Sequence, residues 1–379
     1  MQFTFHSPTE LRIGCGQINS LPELVKSVGI RPLLVLDPIV MAASPPIQGA
    51  VASLKNGGLS CQTFEQIEPN PSLATVAAGA EVCRAHRADV VIAIGGGSAL
   101  DSAKGIAAVA THGGSIGDYL GDDLVPGPIA PIVTVPTTAG TGSETTPFAV
   151  FTHTEARRKD GMFSRYFFPR FSILDAEVYR TLPPQLTAET GMDALAHAIE
   201  GFTAQAKNVV CDPLALSAVR LIARSLRTAV RDGDCLTARE DMAVASALAG
   251  IVITHCGVGA AHGFGMSLGG LYNVPHGRAI ATLLPPVMHY NLAASPQPGA
   301  TLHQTLRDEL PEAGHLENAA AMVSWLAEQA GIPSTLSSIG IEHDQIDEIL
   351  GDSMHRQDMQ NNARPIDRPA AEQLLQSIL

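Results

Sequence analysis

Short apolar runs alternate with helix-like segments over the first 180 residues of the chain. Three such runs lie at 32–36, 89–94 and 132–136. Continuous apolar runs of four to six residues are typical of strands that are buried on both faces. The segment 73–87 has the pattern of a helix and directly precedes the second run. This alternation predicts a parallel, Rossmann-like sheet with helices on its faces.

The pattern changes after about residue 185, where apolar positions recur at helical spacing and strand-like runs nearly vanish. The long Ala- and Leu-rich segments are 187–204, 212–230, 237–254 and 318–330. A stiff pair, Pro183-Pro184, stands at the change and is unsuited to continue a helix or a strand. We therefore expect an α/β domain over residues 1–182 and an all-α domain over residues 183–379.

Composition and charge narrow the class of protein. The chain has 379 residues, with 24 Lys and Arg against 37 Asp and Glu, which gives a formal net charge of −13. It has no basic tract, so we expect no nucleic acid partner. Its longest apolar stretch, 243–254, is too short to span a bilayer, so we expect no membrane partner. Six scattered cysteines without a CxxC pair, and an N-terminus without a secretion pattern, favour a soluble cytoplasmic enzyme.

The second predicted strand leads directly into a glycine-rich turn, Gly95–Ser98. Glycines let the backbone approach a ligand because no Cβ is in the way. Ser98 and Asp101 have the spacing of a capping box, so we expect a helix to begin here with unpaired N–H groups and the positive end of its dipole. Such a helix N-terminus is a pyrophosphate site. The alternative is a tight strand-to-helix turn that binds nothing.

Two further segments carry candidate nucleotide chemistry. The loop Pro136–Glu144 follows the third predicted strand and holds four hydroxyl groups and two glycines, which suit phosphate and ribose oxygens. The alternative is a Ser- and Thr-rich surface loop. Asp37 ends the first predicted strand, where an acid accepts the ribose 2′-hydroxyl of NAD and repels the 2′-phosphate of NADP. The alternative is a turn-forming Asp before Pro38.

A set of metal-ligand residues lies in the helical half. Asp193 and His197 are spaced i, i+4, so on a helix both side chains reach one cation. His262 lies in a Gly- and Ala-rich helical run and His276 in an expected loop, and each one taken singly would more often be a satisfied core residue. One carboxylate with three imidazoles and no thiolate suits a catalytic Fe²⁺ or Zn²⁺. His255 is close enough in sequence to His262 for a supporting contact.

These motifs resemble the iron-containing (group III) alcohol dehydrogenase family, whose fold is shared with dehydroquinate synthase. In chain order they are Glu68–Pro71, Gly95–Lys104, Pro136–Glu144, Gly191–Phe202 and His262–Asn291. The resemblance implies that the metal ligands are Asp193, His197, His262 and His276. It implies cofactor contacts from Gly96, Gly97, Ser98, Thr137, Thr138 and Lys159, with Asp37 at the position that favours NAD. The two loops themselves add Gly95, Asp101, Thr141 and Ser143 to these candidates.

The resemblance also implies which residues lie near the substrate. Candidate pocket residues are Asn70, Phe148 and Met266. Many family members carry a His at the position of Met266, so this chain departs from a His proton relay there. The proton then leaves through a water, the cofactor ribose hydroxyls or His255, and no side chain is assigned as general base.

The function that this resemblance implies is reversible hydride transfer between NAD(H) and a small alcohol or aldehyde. The metal, Fe²⁺ ahead of Zn²⁺, would polarise the substrate oxygen. One alternative is a reductase for a short aldehyde that bears a carboxylate, phosphonate or sulfonate. The basic residues that could bind such a group, or simply face solvent or cofactor, are Arg157, Arg158, Arg165 and Arg170. A second alternative is a dehydroquinate-synthase-like lyase, which the ligand set disfavours. The resemblance further suggests a homodimer or a multiple of it.

Overall fold

Six parallel strands form the main sheet of the protein. The computed structural model describes residues 2–379. The strands in this range are β1 (Glu10–Ile13), β2 (Pro32–Leu36), β3 (Gln62–Phe64), β4 (Val90–Gly95), β5 (Ile132–Pro136), β6 (Phe148–His153), β7 (Arg158–Phe163) and β8 (Phe171–Leu174). The main sheet has the order β1-β8-β5-β4-β2-β3, while β6 and β7 form an antiparallel hairpin that the sequence analysis missed. The predicted parallel sheet is confirmed.

Helices surround the sheet in the first half of the chain and make up the second half. Those in the first half are α1 (Leu21–Lys26), α2 (Pro38–Ala43), α3 (Pro45–Asn56), α4 (Leu73–His86) and α5 (Gly97–His112). Those in the second half are α6 (Pro184–Thr203), α7 (Cys211–Arg231), α8 (Leu236–Cys256), α9 (Ala260–Tyr272), α10 (His276–Leu292), α11 (Pro296–Glu309), α12 (Ala319–Gln329), α13 (Ile346–Ser353), α14 (Gln357–Gln360) and α15 (Arg368–Gln376). The described residues after 182 contain no strand, as the pattern predicted.

The continuous apolar runs are explained by burial of both faces of the sheet. Leu33 and Val35 of β2 pack into one hydrophobic cluster with residues of α4 and α5. Leu34 and Leu36 of the same strand pack into a second cluster with residues of α1 and α3. Successive side chains of a strand point to opposite faces, so a strand covered on both sides needs apolar residues at every position. Each such side chain contributes about 1.5–3 kcal/mol on burial.

The strand order creates a switch point at the carboxyl ends of β2 and β4. The chain pairs β2 with β3 on one side and then returns to place β4 on the other side. Ligands of open α/β sheets bind in the crevice that opens at such a point. Asp37 follows β2 and its N–H donates to the carbonyl of Ile94 at 3.1 Å, beside Gly95. The topology therefore places the first glycine loop and Asp37 side by side at this switch point.

In the second half, the helices that carry the candidate metal ligands are packed in the interior. Helix α6 is buried without interruption from Thr187 to Phe202, although it contains four ionisable side chains in that stretch. Helix α9 is buried from Ala260 to Gly269 and shares an apolar cluster with α10, α13 and α15. Charged groups inside such helices need a partner or a ligand, because their desolvation is otherwise costly. Among the described residues, no single helix is both long enough and apolar enough to span a membrane. Helices α8 and α9 meet these two criteria only when they are counted as one segment, and they are bent by 100° at the break between them.

The chain divides into two units. The first, called the sheet unit here, comprises His6–Leu182 and Gly233–Ala247. The second, called the helical unit, comprises the residues up to Phe5, Pro183–Asp232 and Leu248–Leu379. The segment Gly233–Ala247 thus joins the sheet unit, whereas the sequence analysis placed it in the helical domain. The two-domain division itself stays a prediction.

Two local expectations at the candidate sites are wrong. Helix α5 begins at Gly97 with Gly96 as its N-cap, and no side chain caps it, so Ser98 and Asp101 do not form a capping box. The reason is that a distant part of the chain occupies the Asp101 carboxylate, as described below. His276 is the first residue of α10 rather than part of a loop, because Pro275 at the N-cap position is compatible with a helix start.

Candidate metal centre and nucleotide site

The structure brings the four predicted metal ligands together around the Asp193 carboxylate. The Nε2 atoms of His262, His276 and His197 lie 3.5, 3.6 and 3.9 Å from Asp193 Oδ1. The ligand atoms of Asp193, His262 and His276 all lie within 4.8 Å of one another, and the His197 ring stacks on His262 with centroids 4.6 Å apart. Two atoms that bind one ion at about 2.1 Å are separated by roughly 3.0–3.5 Å. The cluster is therefore close to the size that one ion requires.

Three helices position these side chains. Asp193 and His197 lie one turn apart on α6, His262 lies in the first turn of α9, and His276 opens α10. The side chains of Asp193, His197 and His262 are 2%, 6% and 6% exposed, whereas that of His276 is 24% exposed. The cluster is thus held by rigid elements and is accessible at His276, which suits a catalytic metal site more than a closed structural one.

Two buried atoms test whether the residues fit a metal. Asp193 Oδ1 and His262 Nε2 have no hydrogen-bond partner among the described residues. An unsatisfied buried polar atom costs about 1–3 kcal/mol, and most such atoms in proteins have a partner. A divalent cation would satisfy both atoms. A donor set of one carboxylate and imidazoles without thiolate suits Fe²⁺ or Zn²⁺, so the residues fit the expected ion.

The electrostatic field of the cluster favours a cation. Burial alone would raise the pKa of Asp193, but His197 and His276 hold it well below its usual value. Burial alone would lower the pKa of His262, but Glu200 and Asp193 raise it to about 10. The carboxylates of Glu200 and Asp193 therefore both act on one buried imidazole, and this arrangement favours positive charge in the cluster.

Glu200 is a member of this site that the sequence analysis missed. Its Oε2 accepts a hydrogen bond from His262 Nδ1 at 2.5 Å, and its Oε1 accepts one from the N–H of Ala261 at 2.8 Å. A proton held on Nδ1 leaves Nε2 as the atom that faces the cluster, and carboxylate–histidine pairs of this kind orient metal ligands. The available signal was spacing, because Glu200 lies seven residues after Asp193 on the same helix face.

His255 makes other contacts. Its Nδ1 faces the carbonyl of Ile251 at 2.8 Å, and its ring stacks on Phe5 with centroids 4.3 Å apart. A supporting role for His255 at the metal stays a prediction. Met266 lies one turn after His262 on α9 and is 9% exposed, so an apolar thioether stands where many family members carry a His.

The two predicted nucleotide loops contact each other at the carboxyl ends of β4 and β5. The N–H of Thr137 donates to the carbonyl of Gly95 at 2.9 Å. A Cβ at Gly97 would lie 2.6 Å from Thr141 Cγ2, so this glycine is required by the neighbouring loop as well as by any ligand. Gly95 has a φ of +155°, which disfavours other residues. The two loops thus form one surface at the switch point of the sheet.

Both readings of Asp37 have support in the local geometry. Its Oδ1 accepts from the N–H groups of Ile39 at 2.9 Å and Val40 at 3.4 Å, which caps α2. The turn-forming alternative is therefore observed. Asp37 also lies against Gly95, where a Cβ would be 3.3 Å from the Asp37 Cβ. Its contact with a ribose stays a prediction.

Two residues predicted to touch the cofactor, Asp101 of α5 and Ser143 of the second loop, form a hydrogen bond with each other. Asp101 Oδ1 accepts from Ser143 Oγ at 2.7 Å, and its Oδ2 accepts from the N–H of Val150 at 3.0 Å. Ser143 is 3% exposed. Of the remaining candidates, Lys159 Nζ donates to Asn70 Oδ1 at 3.0 Å. These pairs connect separate segments of the sheet unit, which no local sequence pattern reveals.

Three of the four candidate anion-binding arginines contact an acid or a ring. Arg158 Nε donates to Asp160 at 2.9 Å. Arg165 forms an ion pair with Asp123. Arg170 lies over the ring of Phe171. The carboxylates of Asp160 and Asp123 neutralise part of the positive charge that an anionic substrate group would need.

Comparisons with known proteins agree over the whole chain. Residues 8–176 match the family model of iron-containing alcohol dehydrogenase, and residues 187–379 match the C-terminal model of the Fe-containing alcohol dehydrogenase family. A 1,3-propanediol dehydrogenase of Klebsiella pneumoniae is 40% identical over 318 residues, which cover 83% of this chain and 82% of the relative. A choline dehydrogenase of Bacillus subtilis (strain 168) is 36% identical over 376 residues, 97% of this chain and 92% of the relative. The crystal structure of a 1,3-propanediol oxidoreductase has a TM-score of 0.94 at 34% identity, with both chains fully covered.

Proposed function

The chain belongs to the iron-containing alcohol dehydrogenase family, and on that premise we propose which residues carry its reaction. The protein is a metal-dependent, NAD(H)-linked alcohol dehydrogenase that interconverts small alcohols and aldehydes. We assign metal binding to Asp193, His197, His262 and His276. The observation that carries this assignment is the pair of buried atoms, Asp193 Oδ1 and His262 Nε2, without a protein hydrogen bond among the described residues.

The helical unit supplies the metal-binding residues. Asp193, His197, His262 and His276 would hold a divalent ion that would supply Lewis-acid polarisation of the substrate oxygen, and NAD(H) would supply the hydride chemistry. Asp193 stays ionised because its pKa is depressed. Glu200 holds the Nδ1 proton of His262 and so keeps Nε2 available as a ligand. Met266 has no ionisable group, so this position takes no part in proton transfer.

The sheet unit supplies the dinucleotide site. We assign the pyrophosphate to the Gly95–Ser98 turn, where the first N–H groups of α5 and the positive end of its dipole meet an anion. Thr138 and Thr141 stand beside this turn, and their hydroxyls suit phosphate or ribose oxygens. Asp37 would accept the ribose 2′-hydroxyl and disfavour NADP.

For the substrate we propose a short, uncharged alcohol. Two observations support this choice. The pocket candidates Phe148 and Met266 are apolar, and the Phe148 ring packs near that of Phe163 with centroids 5.6 Å apart. Arg158 and Arg165 pair with Asp160 and Asp123, so a carboxylate, phosphonate or sulfonate would have to compete with these acids.

An NAD-linked assay with metal-replete protein tests the proposal. The panel should contain 1-propanol, 1,3-propanediol, choline and a short aldehyde that bears a sulfonate, with NADH absorbance as the readout. We expect turnover of the uncharged alcohols that a chelator abolishes and Fe²⁺ restores. Preference for the sulfonate-bearing aldehyde would overturn the substrate class, and failure with every alcohol and aldehyde would overturn the residue assignments.

Assembly and location are proposals that the family resemblance suggests. We propose a homodimer, which size-exclusion chromatography with light scattering measures directly. We also propose the cytoplasm as the place of action, and fractionation of the producing cell would measure it.

A further inference from the structure

A lysine ammonium is buried beneath the second nucleotide loop. Lys104 of α5 has no exposed surface. Its Nζ donates to the carbonyls of Phe148 at 2.6 Å, Ser143 at 2.8 Å and Thr146 at 3.0 Å, and it also lies 2.8 Å from Ser143 Oγ. Fully buried lysines are rare because desolvating the charge is costly. Here three carbonyls compensate that cost, and they come from the segment 143–148, which runs from the end of the second nucleotide loop to the first residue of β6.

Asp101 binds the end of the same loop and the strand β6 from the preceding turn of the helix. It lies three residues before Lys104 and therefore on the same face of α5. Its Oδ1 accepts from Ser143 Oγ and its Oδ2 accepts from the N–H of Val150. Ser143 Oγ accepts from Lys104 and donates to Asp101, so the hydrogen-bond directions are consistent. Both charged groups therefore make hydrogen bonds to the end of the second loop and the start of β6.

The helix that carries this pair also begins at the first nucleotide loop. Gly97 opens α5, seven residues before Lys104, which is about 10 Å along the helix axis. The second loop returns to touch this end of the helix, since Thr138 and Thr141 lie against Gly96 and Gly97. The loop is thus in contact with α5 at its start and two turns further on.

We propose that Lys104 and Asp101 are positioning residues that hold the two dinucleotide loops in their binding arrangement. This inference rests on the proposed function, because it assumes that both loops contact NAD(H). A loop that is ordered before the ligand arrives loses less conformational entropy on binding, so its affinity is higher. The pair therefore acts on cofactor affinity, and its hydrogen bonds go to residues 143–150 rather than to the metal ligands.

The charge state of Lys104 provides a second readout. Burial lowers the pKa of Lys104 to about 8, although the carboxylates of Asp101 on the same helix and Glu144 on the loop oppose this effect. Lys159 of β7 also acts on Asp101. Loss of the proton leaves two N–H donors for four acceptor atoms, namely the three carbonyl oxygens and Ser143 Oγ. We expect cofactor affinity to fall as pH rises through this range.

The experiment compares three variants of the metal-loaded enzyme with the wild type. Lys104→Met keeps the length of the side chain and removes the donors, Asp101→Asn removes the charge, and Lys55→Met is the control because Lys55 is exposed on α3. The dissociation constant of NADH is measured by fluorescence titration across the alkaline range, with metal content, kcat and KM for NAD in parallel.

The expected results separate positioning from general stabilisation. Lys104→Met should raise the NADH dissociation constant and KM for NAD about ten-fold or more, because buried carbonyls lose their donors. Its metal content should be unchanged, and kcat at saturating NAD should change far less than KM. Its NADH affinity should also lose the pH dependence of the wild type, whereas Lys55→Met should keep it.

Three results would count against specific statements. A folded Lys104→Met protein with wild-type NADH affinity would overturn the positioning role and leave the proposed function intact. A wild-type enzyme that binds no NADH would overturn the proposed function itself. If Lys104→Met does not fold, Asp101→Asn and Ser143→Ala replace it, and wild-type NADH affinity in both would equally overturn the inference.

Discussion

Replacing Glu200 with glutamine perturbs the support of one metal ligand and leaves side-chain volume nearly unchanged. Both neighbours of this carboxylate are donors, namely the N–H of Ala261 at 2.8 Å and Nδ1 of His262 at 2.5 Å. The carboxylate accepts from both. An amide has one oxygen and one NH₂ group, so in Glu200→Gln one of the two donors must face another donor.

The magnitude follows from burial. Glu200 is 3% exposed, so water has little access to replace the lost acceptor. An unsatisfied buried donor costs about 1–3 kcal/mol, which corresponds to roughly a 5- to 150-fold change in an equilibrium constant. Losing a negative charge beside a cation acts in the same direction. We therefore expect the metal dissociation constant to rise by about 10- to 100-fold, the range typical for groups that support a ligand.

The assay is a metal titration of stripped protein in the presence of a competing chelator, with Zn²⁺ as the ion. Glu200→Asp is the matched variant, since it keeps two acceptor oxygens on a shorter side chain and should lose less affinity. Glu81→Gln, an exposed position on α4, is the control. Metal affinity in Glu200→Gln within about two-fold of the wild type would refute the reasoning. NADH affinity should not change in any of these proteins.

Three other predictions concern single residues. His262→Ala should abolish turnover and lower metal content but leave NADH binding intact; full activity in metal-stripped mutant protein would exclude metal catalysis. Asp37→Gly should raise the use of NADP relative to NAD, measured as the ratio of kcat/KM values, and an unaltered ratio would remove Asp37 from the ribose site. Burial raises the pKa of Glu144 from 4.5 to about 7, so the folded protein keeps a proton that the unfolded chain releases within this window. The free energy of unfolding should fall by roughly 3 kcal/mol for this group as pH rises through the window. Urea unfolding at pH values on either side of the window measures this fall, and Glu144→Gln should make it smaller. A fall equal to that of the wild type would contradict this.

The sequence alone determined those helices and strands that a pattern of neighbouring residues predicts. Apolar runs at 32–36, 89–94 and 132–136 predicted buried parallel strands, because a strand covered on both faces has no polar side. Apolar positions at helical spacing predicted that the second half of the chain is helical, because a helix packed on one side has its apolar residues on one face. Residue chemistry also identified Asp193 and His262 as ligand candidates, since a carboxylate and an imidazole are chemically suited to a divalent ion wherever they lie.

Only the tertiary structure decided which polar groups that are far apart in the sequence form hydrogen bonds with each other. Asp101 has the spacing of a capping residue, yet its carboxylate binds Ser143, 42 residues later. The spacing of Glu200 places it on the same helix face as Asp193, but it does not reveal that Glu200 accepts a hydrogen bond from His262, 62 residues later. Hydrogen bonds and charge pairs depend on distances of a few ångströms in space, which local periodicity does not encode. The chain alone therefore indicated which chemical groups are present, and packing selected which of them meet.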